Sequence, residues 1–276
     1  MFDGSGSLHD GDKTTPVVEV CDLVARYGDK TVLSEVNLGV MPGEVRFILG
    51  GSGSGKTTLL KNVIGLVPPA EGSVRLLDTD LSTASEGDRD RVLRRIGMLF
   101  QGSALLNALT LHENVALPLQ ECTDLPRSVI DEIVRMKLSL VELEDAGHLL
   151  PSEISGGMKK RAGLARAMAL DPDILFCDEP GAGLDPTTAA GLDRLLKGLV
   201  QSFGMALVVV SHELASIERL AERAIMLDRG RVVADGRLSE VKASDHPQVR
   251  AFFFGESGTR EPPPSVWEAM AGGVAP

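Results

Sequence analysis

An α/β fold with a mostly parallel central sheet is predicted by three features of the chain. From Val17 onward, short apolar runs alternate with segments of helical periodicity, the pattern of successive βα units. A glycine-rich loop at 50–57 joins an apolar run directly to a helix-period segment. A stretch from about 112 to 169 is helical throughout, so one core with an inserted helical subdomain fits better than two independent folds.

The elements follow in order. VVEV (17–20), TVLSEVNLGV (31–40) and VRFIL (45–49) read as strands, bounded by Gly28 and by the Pro42-Gly43 turn. KTTLLKNVIGL (56–66) reads as a helix stopped before Pro68-Pro69. SVRLL (73–77) and RIGMLF (95–100) are further strands. ENVALPLQE, PRSVIDEIVRMKLSLVEL and KKRAGLARAMAL each carry three- and four-residue apolar spacing and make up the helical stretch. After it, DILFCD, a helix near 187–201, MALVVV, a helix near 213–221, AIMLD and RVVADG restore the alternation. Residues 1–15 have no periodicity and read as a disordered leader.

Charge and cysteine usage narrow the classes. The chain has 276 residues, with 28 basic against 39 acidic side chains and a net charge of −11. That balance argues against a protein whose main work is gripping nucleic-acid phosphate. The longest purely apolar run is Met205 to Val210, far short of the roughly 20 residues a spanning helix needs. Residues 1–12 lack the apolar stretch of a signal peptide. Cys21, Cys122 and Cys177 are far apart and form no CxxC pair, which fits a reducing cytosol.

The sharpest motif is Gly50-Gly51-Ser52-Gly53-Ser54-Gly55-Lys56-Thr57, which matches GxxxxGK[ST] between a strand and a helix. Glycines let successive backbone N–H groups point at a β-phosphate, and the helix N-terminus adds positive potential. Lys56 suits the β- and γ-phosphates, the Thr57 hydroxyl suits Mg²⁺, and Thr58 belongs with the same phosphate-binding residues. A second acidic site supports this reading. The apolar run Ile174-Leu175-Phe176-Cys177 ends in Asp178 and Glu179. At a strand's C-terminal end, Asp178 can hold the hydrated metal while Glu179 polarises the attacking water as general base.

Between these sites lies Ile154-Ser155-Gly156-Gly157-Met158, followed by KKRAGLARAMALDPDILFCDEP. Here the chain resembles the ATP-binding-cassette (ABC) ATPases, whose LSGGQ signature stands as ISGGM. Tyr27 upstream, Gln101 after RIGMLF, GAGLDP at 181–186 and His212 after MALVVVS fall in the family's order. The resemblance spans roughly 17–240. It implies an ABC cassette fold with a P-loop NTPase core, an antiparallel β subdomain and a helical subdomain at about 102–169. The resulting division is a leader (1–15), the cassette (16–244) and a C-terminal extension (245–276).

The resemblance also implies roles for these residues. ATP and Mg²⁺ are the expected ligands. Tyr27 would stack on the adenine. Gln101 would sense Mg²⁺ and the attacking water, joining Thr57 and Asp178 around the metal. His212 would contact the γ-phosphate and orient Glu179. Ser155, Gly156 and Gly157 would meet the γ-phosphate held by a second copy of the chain, and Asp185 would couple the two sites. A homodimer sandwiching two ATPs on separately encoded permease subunits follows, peripheral on the cytoplasmic face of the inner membrane.

Two departures refine the likeness. Ile154 for Leu is mild, whereas Met158 for Gln removes an amide. Met there, with FQGSALLNALTLHENVALPLQE at 100–121, resembles the ATPases of Mla-type and Mce-associated phospholipid transporters. Such systems include an MCE-type lipid-binding protein and often a STAS-domain accessory subunit. A solute importer with a drifted signature is the alternative. Repair and ribosome-acting cassettes are disfavoured, because no sustained heptads lie between Lys56 and Ser155 and only one cassette is present. Near the C-terminus, Phe252, Phe253, Phe254 and Trp267 stand in a Pro/Gly-rich segment. They are expected either to belong to a floppy tail or to dock on a neighbouring protomer or accessory subunit.

Overall fold

The structure is a computed structural model and describes residues 15–255. Most of the expected leader, and Trp267, lie outside the described residues. The first sheet is antiparallel: β1 (Val18–Tyr27), β2 (Lys30–Val40), β4 (Glu71–Leu76) and β5 (Thr79–Asp80), in the order β2-β1-β4-β5. The second contains β3 (Val45–Leu49), β6 (Ile96–Leu99), β7 (Ile174–Asp178), β8 (Ala206–Val210), β9 (Arg223–Asp228) and β10 (Arg231–Arg237). Its order is β10-β9-β3-β8-β7-β6, and all neighbours run parallel except β10, which returns antiparallel on β9.

The continuous apolar runs of β3, β7 and β8 have a simple cause: both faces of this sheet are covered. Phe47, Leu49, Leu175, Cys177, Leu207 and Val209 face one buried cluster, which the helices complete. Ile48, Phe176, Val208 and Val210 face the other, packed with Val18, Leu23, Leu33 and Val36 of the antiparallel sheet. The alternation along each strand thus divides the two cores.

The helices are α1 (Lys56–Val63), α2 (Glu86–Leu93), α3 (Leu111–Cys122), α4 (Arg127–Leu140), α5 (Gly156–Ala167), α6 (Pro186–Phe203), α7 (Leu214–Leu220), α8 (Leu238–Lys242) and α9 (Pro247–Phe254). The inserted helical stretch is α3, α4 and α5, which pack on one another. Thr110 and Glu113 close a capping box at the start of α3. The buried Asn114 accepts from the Leu106 amide and donates to the Leu106 and Leu109 carbonyls, fixing the loop before that helix. No helix among the described residues is long and apolar enough to cross a membrane.

Three differences from the sequence reading have physical reasons. β1 runs on to Tyr27 rather than stopping near residue 20, because an irregularity at Cys21–Asp22 breaks its pairing register and its apolar alternation. Asp22 has φ 47°, and Gly72 lies so close that a Cβ there would meet the Cys21 and Asp22 carbonyl oxygens at 2.5 Å. α2 was not expected, since Val92 is its only buried residue and it has no apolar stripe. Finally, α9 packs Phe252 and Phe253 against the helix-side core of this same chain. The expected docking of tail aromatics on another subunit therefore does not describe these two side chains, which already have a home; Phe254 remains exposed.

Candidate nucleotide site

Strand register brings the candidate residues to one end of the parallel sheet. Asp178 pairs with Val210, and Val210 pairs with Ile48. Leu99 pairs with Cys177 on the other side. The next few residues of each chain segment, Gly50, Gln101, Glu179 and His212, therefore all emerge at the carboxyl edge, where open α/β sheets bind ligands.

The glycine loop is specified by space. Gly50 has φ 145°, and a Cβ there would lie 2.4 Å from the Leu227 carbonyl oxygen and 2.5 Å from Ser54 Oγ. Gly55 is the left-handed N-cap of α1 at φ 108°, with the Leu33 side chain 2.5 Å from any added Cβ. Ser54 is buried, while Gly51, Ser52, Gly53 and Thr57 are exposed and Thr58 is half-buried. Lys56 Nζ donates to the Gly50 and Gly51 carbonyls at 2.8 and 2.9 Å, folding back over the loop. Burial lowers the Lys56 pKa, and the charges of Glu179 and Asp178 oppose that shift.

Glu179 is held through both its backbone and its side chain. Its φ of 47° lies in the left-handed region, a conformation that costs a non-glycine residue roughly 1–2 kcal/mol. Three backbone hydrogen bonds hold it there. Its N–H donates to the Val210 carbonyl at 2.8 Å, and its own carbonyl accepts from the Ala182 amide and from Lys160 Nζ at 3.1 Å each. The carboxylate then meets His212: Oε1 lies 2.7 Å from Nδ1, while Oε2 is buried with no partner. Because a carboxylate only accepts, Nδ1 carries the proton. The His212 side chain is 64% exposed, so the rest of the imidazole stays open to a ligand.

Asp178, beside it, has its carboxyl pKa raised by burial first and then by the Glu179 charge; Lys160, Lys56 and Lys61 pull the other way. Two adjacent carboxylates, one with its pKa raised by burial and by the charge of the other, suit a hydrated divalent cation that would offset their repulsion. Gln101 is exposed just past β6.

Among the described residues, the other expected residues share no hydrogen bond with this cluster. Tyr27 sits at the tip of the β1–β2 hairpin with its ring half exposed. Ser155 caps α5 by accepting from the Met158 amide at 3.3 Å; Ser155 and Gly156 are exposed, and Gly157 abuts Thr188 of α6. Among the described residues no hydrogen bond links 155–157 to the 50–58 loop. Asp185 caps α6, its Oδ1 accepting from the Thr187 and Thr188 amides at 3.0 and 3.1 Å, and the bonds from Thr188 hold its carboxyl below the usual range. One residue escaped the sequence reading. Lys160 is buried among the apolar positions of α5 and reaches the carbonyls of both Gln101 and Glu179. A lysine four residues before Leu164, on the buried face, was the available signal.

A parallel sheet whose carboxyl edge carries a glycine cradle, a lysine and an Asp-Glu pair defines a P-loop nucleoside-triphosphate-binding cassette. The sequence model described as "ABC transporter" matches residues 33–182. The chain belongs to the ABC transporter family, as its ATP-hydrolysing cassette. It is 39% identical over 87% of its length to the "Intermembrane phospholipid transport system ATP-binding protein MlaF" of Haemophilus influenzae, covering 91% of that protein. It is 38% identical over 89% of its length to the "Probable ribonucleotide transport ATP-binding protein mkl" of Mycobacterium leprae, covering 72% of it. Among solved structures, a dimeric post-hydrolysis ATP-binding cassette bound to ADP and Pi superimposes with a TM-score of 0.73. The two share 31% identity, and the match covers 80% of this chain and 98% of that one.

Proposed function

We propose that this chain hydrolyses MgATP as a homodimer and thereby drives phospholipid transport through separate membrane subunits, from the cytoplasmic face of the inner membrane. The observation that carries the hydrolytic reading is the Glu179–His212 contact at the sheet edge that also holds the glycine loop. The backbone N–H groups of 50–57 and the start of α1 would cradle the phosphates, with Tyr27 stacking on the adenine. Lys56 exchanges its two loop carbonyls for phosphate oxygens. Glu179 takes the proton of the attacking water, while His212 holds its Oε1 and turns its own free edge to the γ-phosphate. Thr57, Asp178 and Gln101 would hold the magnesium ion, which when bound neutralises charge on the phosphate oxygens.

The exposure of Ser155 and Gly156 supports a composite site. Their N-terminal helix dipole and free amides are presented outward, where the γ-phosphate of a second copy would dock, and Asp185 beside them would link the two sites. The likeness to the MlaF proteins supports phospholipid as cargo, an MCE-type lipid-binding protein and a STAS-domain subunit being the further partners of this reading. The mkl relative, at nearly the same identity, is named for ribonucleotide transport. Cargo meets the membrane subunits, so cassette identity alone discriminates weakly between the two. Co-purification of the full-length chain from native membranes tests this: bound phospholipid and phospholipid-stimulated ATPase support the reading. Stimulation by ribonucleotides in place of lipid would replace it.

A further inference from the structure

We propose that Lys160 is a positioning residue that holds the backbone of Gln101 and the backbone of Glu179 in one fixed relation, tying the helical subdomain to the hydrolytic edge. The inference rests on the ATP-hydrolysing reading above. Lys160 is 5% exposed, and its ammonium donates to the Gln101 carbonyl at 2.5 Å and the Glu179 carbonyl at 3.1 Å. Among the described residues no carboxylate lies within ion-pair distance of it. A buried ammonium without a carboxylate partner is costly, and leucine or methionine would fill a packing position on α5 better. Burial accordingly lowers the Lys160 pKa, with Cys177 and then Asp178, Glu213 and Glu179 opposing the shift.

What the ammonium supplies is a bridge between two carbonyls whose residues both belong to the candidate site. The Glu179 carbonyl is turned toward α5 by the same left-handed φ that sends its side chain to His212. On the other side, the loop that starts at Gln101 contains Ser103 and Ala104 at φ 62° and 51°. Arg166, also on α5, donates to both of their carbonyls at 2.9 and 2.7 Å. Helix α5 therefore carries two cations that hold this loop, and only Lys160 also spans to the end of β7. A displacement of the 101–104 loop relative to β7 must break one Lys160 bond or drag Glu179 along. Loop position and the placement of the general base are mechanically linked through one side chain.

The test is steady-state ATP hydrolysis by the full-length chain, alone and co-purified with its membrane complex, for Lys160→Met, Lys160→Gln and Lys160→Arg. Lys160→Met keeps the volume, strands the Gln101 carbonyl and leaves the Glu179 carbonyl with the Ala182 amide alone; kcat should fall at least tenfold with KM for ATP within twofold of wild type. Lys160→Arg, which retains donors, should recover at least half of the lost activity on a logarithmic scale. If Lys160→Met fails to fold by circular dichroism, Lys160→Gln carries the same kcat–KM comparison. A kcat within twofold of wild type, a loss shared equally by ATP binding, or an Arg variant as slow as Met would overturn the proposal. A wild-type chain with no ATPase activity would instead sink the functional reading and this inference with it.

Discussion

His212 Nδ1 stands 2.7 Å from Glu179 Oε1, and Glu179 Oε2, in the same carboxylate, is buried without a partner. The His212 contact fixes the orientation of the carboxylate proposed as the proton acceptor. Replacing Glu179 with Gln keeps the shape and removes the basicity. Hydrolysis should slow by at least about 10²-fold while ATP binding survives, so the variant accumulates as an ATP-bound dimer. Single-turnover kinetics and size-exclusion chromatography with ATP check both halves. His212→Ala should slow hydrolysis as well, because Oε1 loses its only side-chain partner among the described residues, with a smaller effect on ATP affinity.

Lys56 makes the opposite prediction. Its ammonium already points into the glycine loop, where it bonds the Gly50 and Gly51 carbonyls. Lys56→Ala removes the cation from the phosphate cradle and should weaken ATP binding by tenfold or more, measured by equilibrium titration. Unchanged affinity would remove Lys56 from the phosphate site.

Ser155→Arg tests the composite site. Ser155 is exposed at the start of α5, and its hydroxyl serves only the local Met158 amide. A bulky cation there should leave ATP binding by the monomer intact, since the 50–58 loop is untouched, yet abolish hydrolysis. Normal hydrolysis by this variant would mean that residues 155–157 complete no site in a second copy.

Asp178 links the site to stability. Its folded-state pKa is raised, by burial and by Glu179, above the ordinary carboxylate value. The folded state thus holds its proton at pH values where the unfolded chain has released it, and stability falls as pH rises through that interval. Above that interval the carboxylate is ionised in both states, and the folded state bears the burial of the charge and the repulsion of Glu179. Asp178→Asn should therefore raise the Tm without nucleotide while abolishing Mg²⁺-dependent hydrolysis. The gain should shrink as pH is lowered toward the carboxylate range, which a thermal melt series measures.

The glycine loop, the fully buried strands β3, β7 and β8, and the Asp178–Glu179 pair were legible because each depends on local pattern: backbone space, uninterrupted apolarity, and charge at a strand end. β1 was read short because the irregularity at Cys21–Asp22 hides its alternation, and α2 was missed because only Val92 is buried. Lys160 was invisible for a different reason. Its role lies in two backbone carbonyls, at Gln101 and Glu179, that no side-chain pattern announces. Asp185 illustrates the converse: its motif position suggested coupling between sites, whereas within the chain its oxygen caps α6.

The C-terminal helix α9 yields the last prediction. Phe252 and Phe253 pack against the helix-side core, stacked edge-on at 5.1 Å between centroids, and Lys242 of α8 lies over the Phe253 ring at 5.8 Å. Both rings are partly rather than fully buried. Truncating a fully buried phenylalanine to alanine costs about 3–5 kcal/mol, so a partly buried one should cost about 1–3 kcal/mol. For a chain of this size that is a fall in Tm of about 3–9 °C. Phe253→Ala should show that fall with ATP binding retained, because α9 packs away from the 50–58 loop. Phe254→Ala, at an exposed position, should leave the Tm unchanged. Deleting residues 247–276, which removes α9, should then destabilise the chain at least as much as Phe253→Ala does. Differential scanning calorimetry of the three variants separates these outcomes, and an unchanged Tm for Phe253→Ala would mean that its ring contributes nothing to the cassette's core.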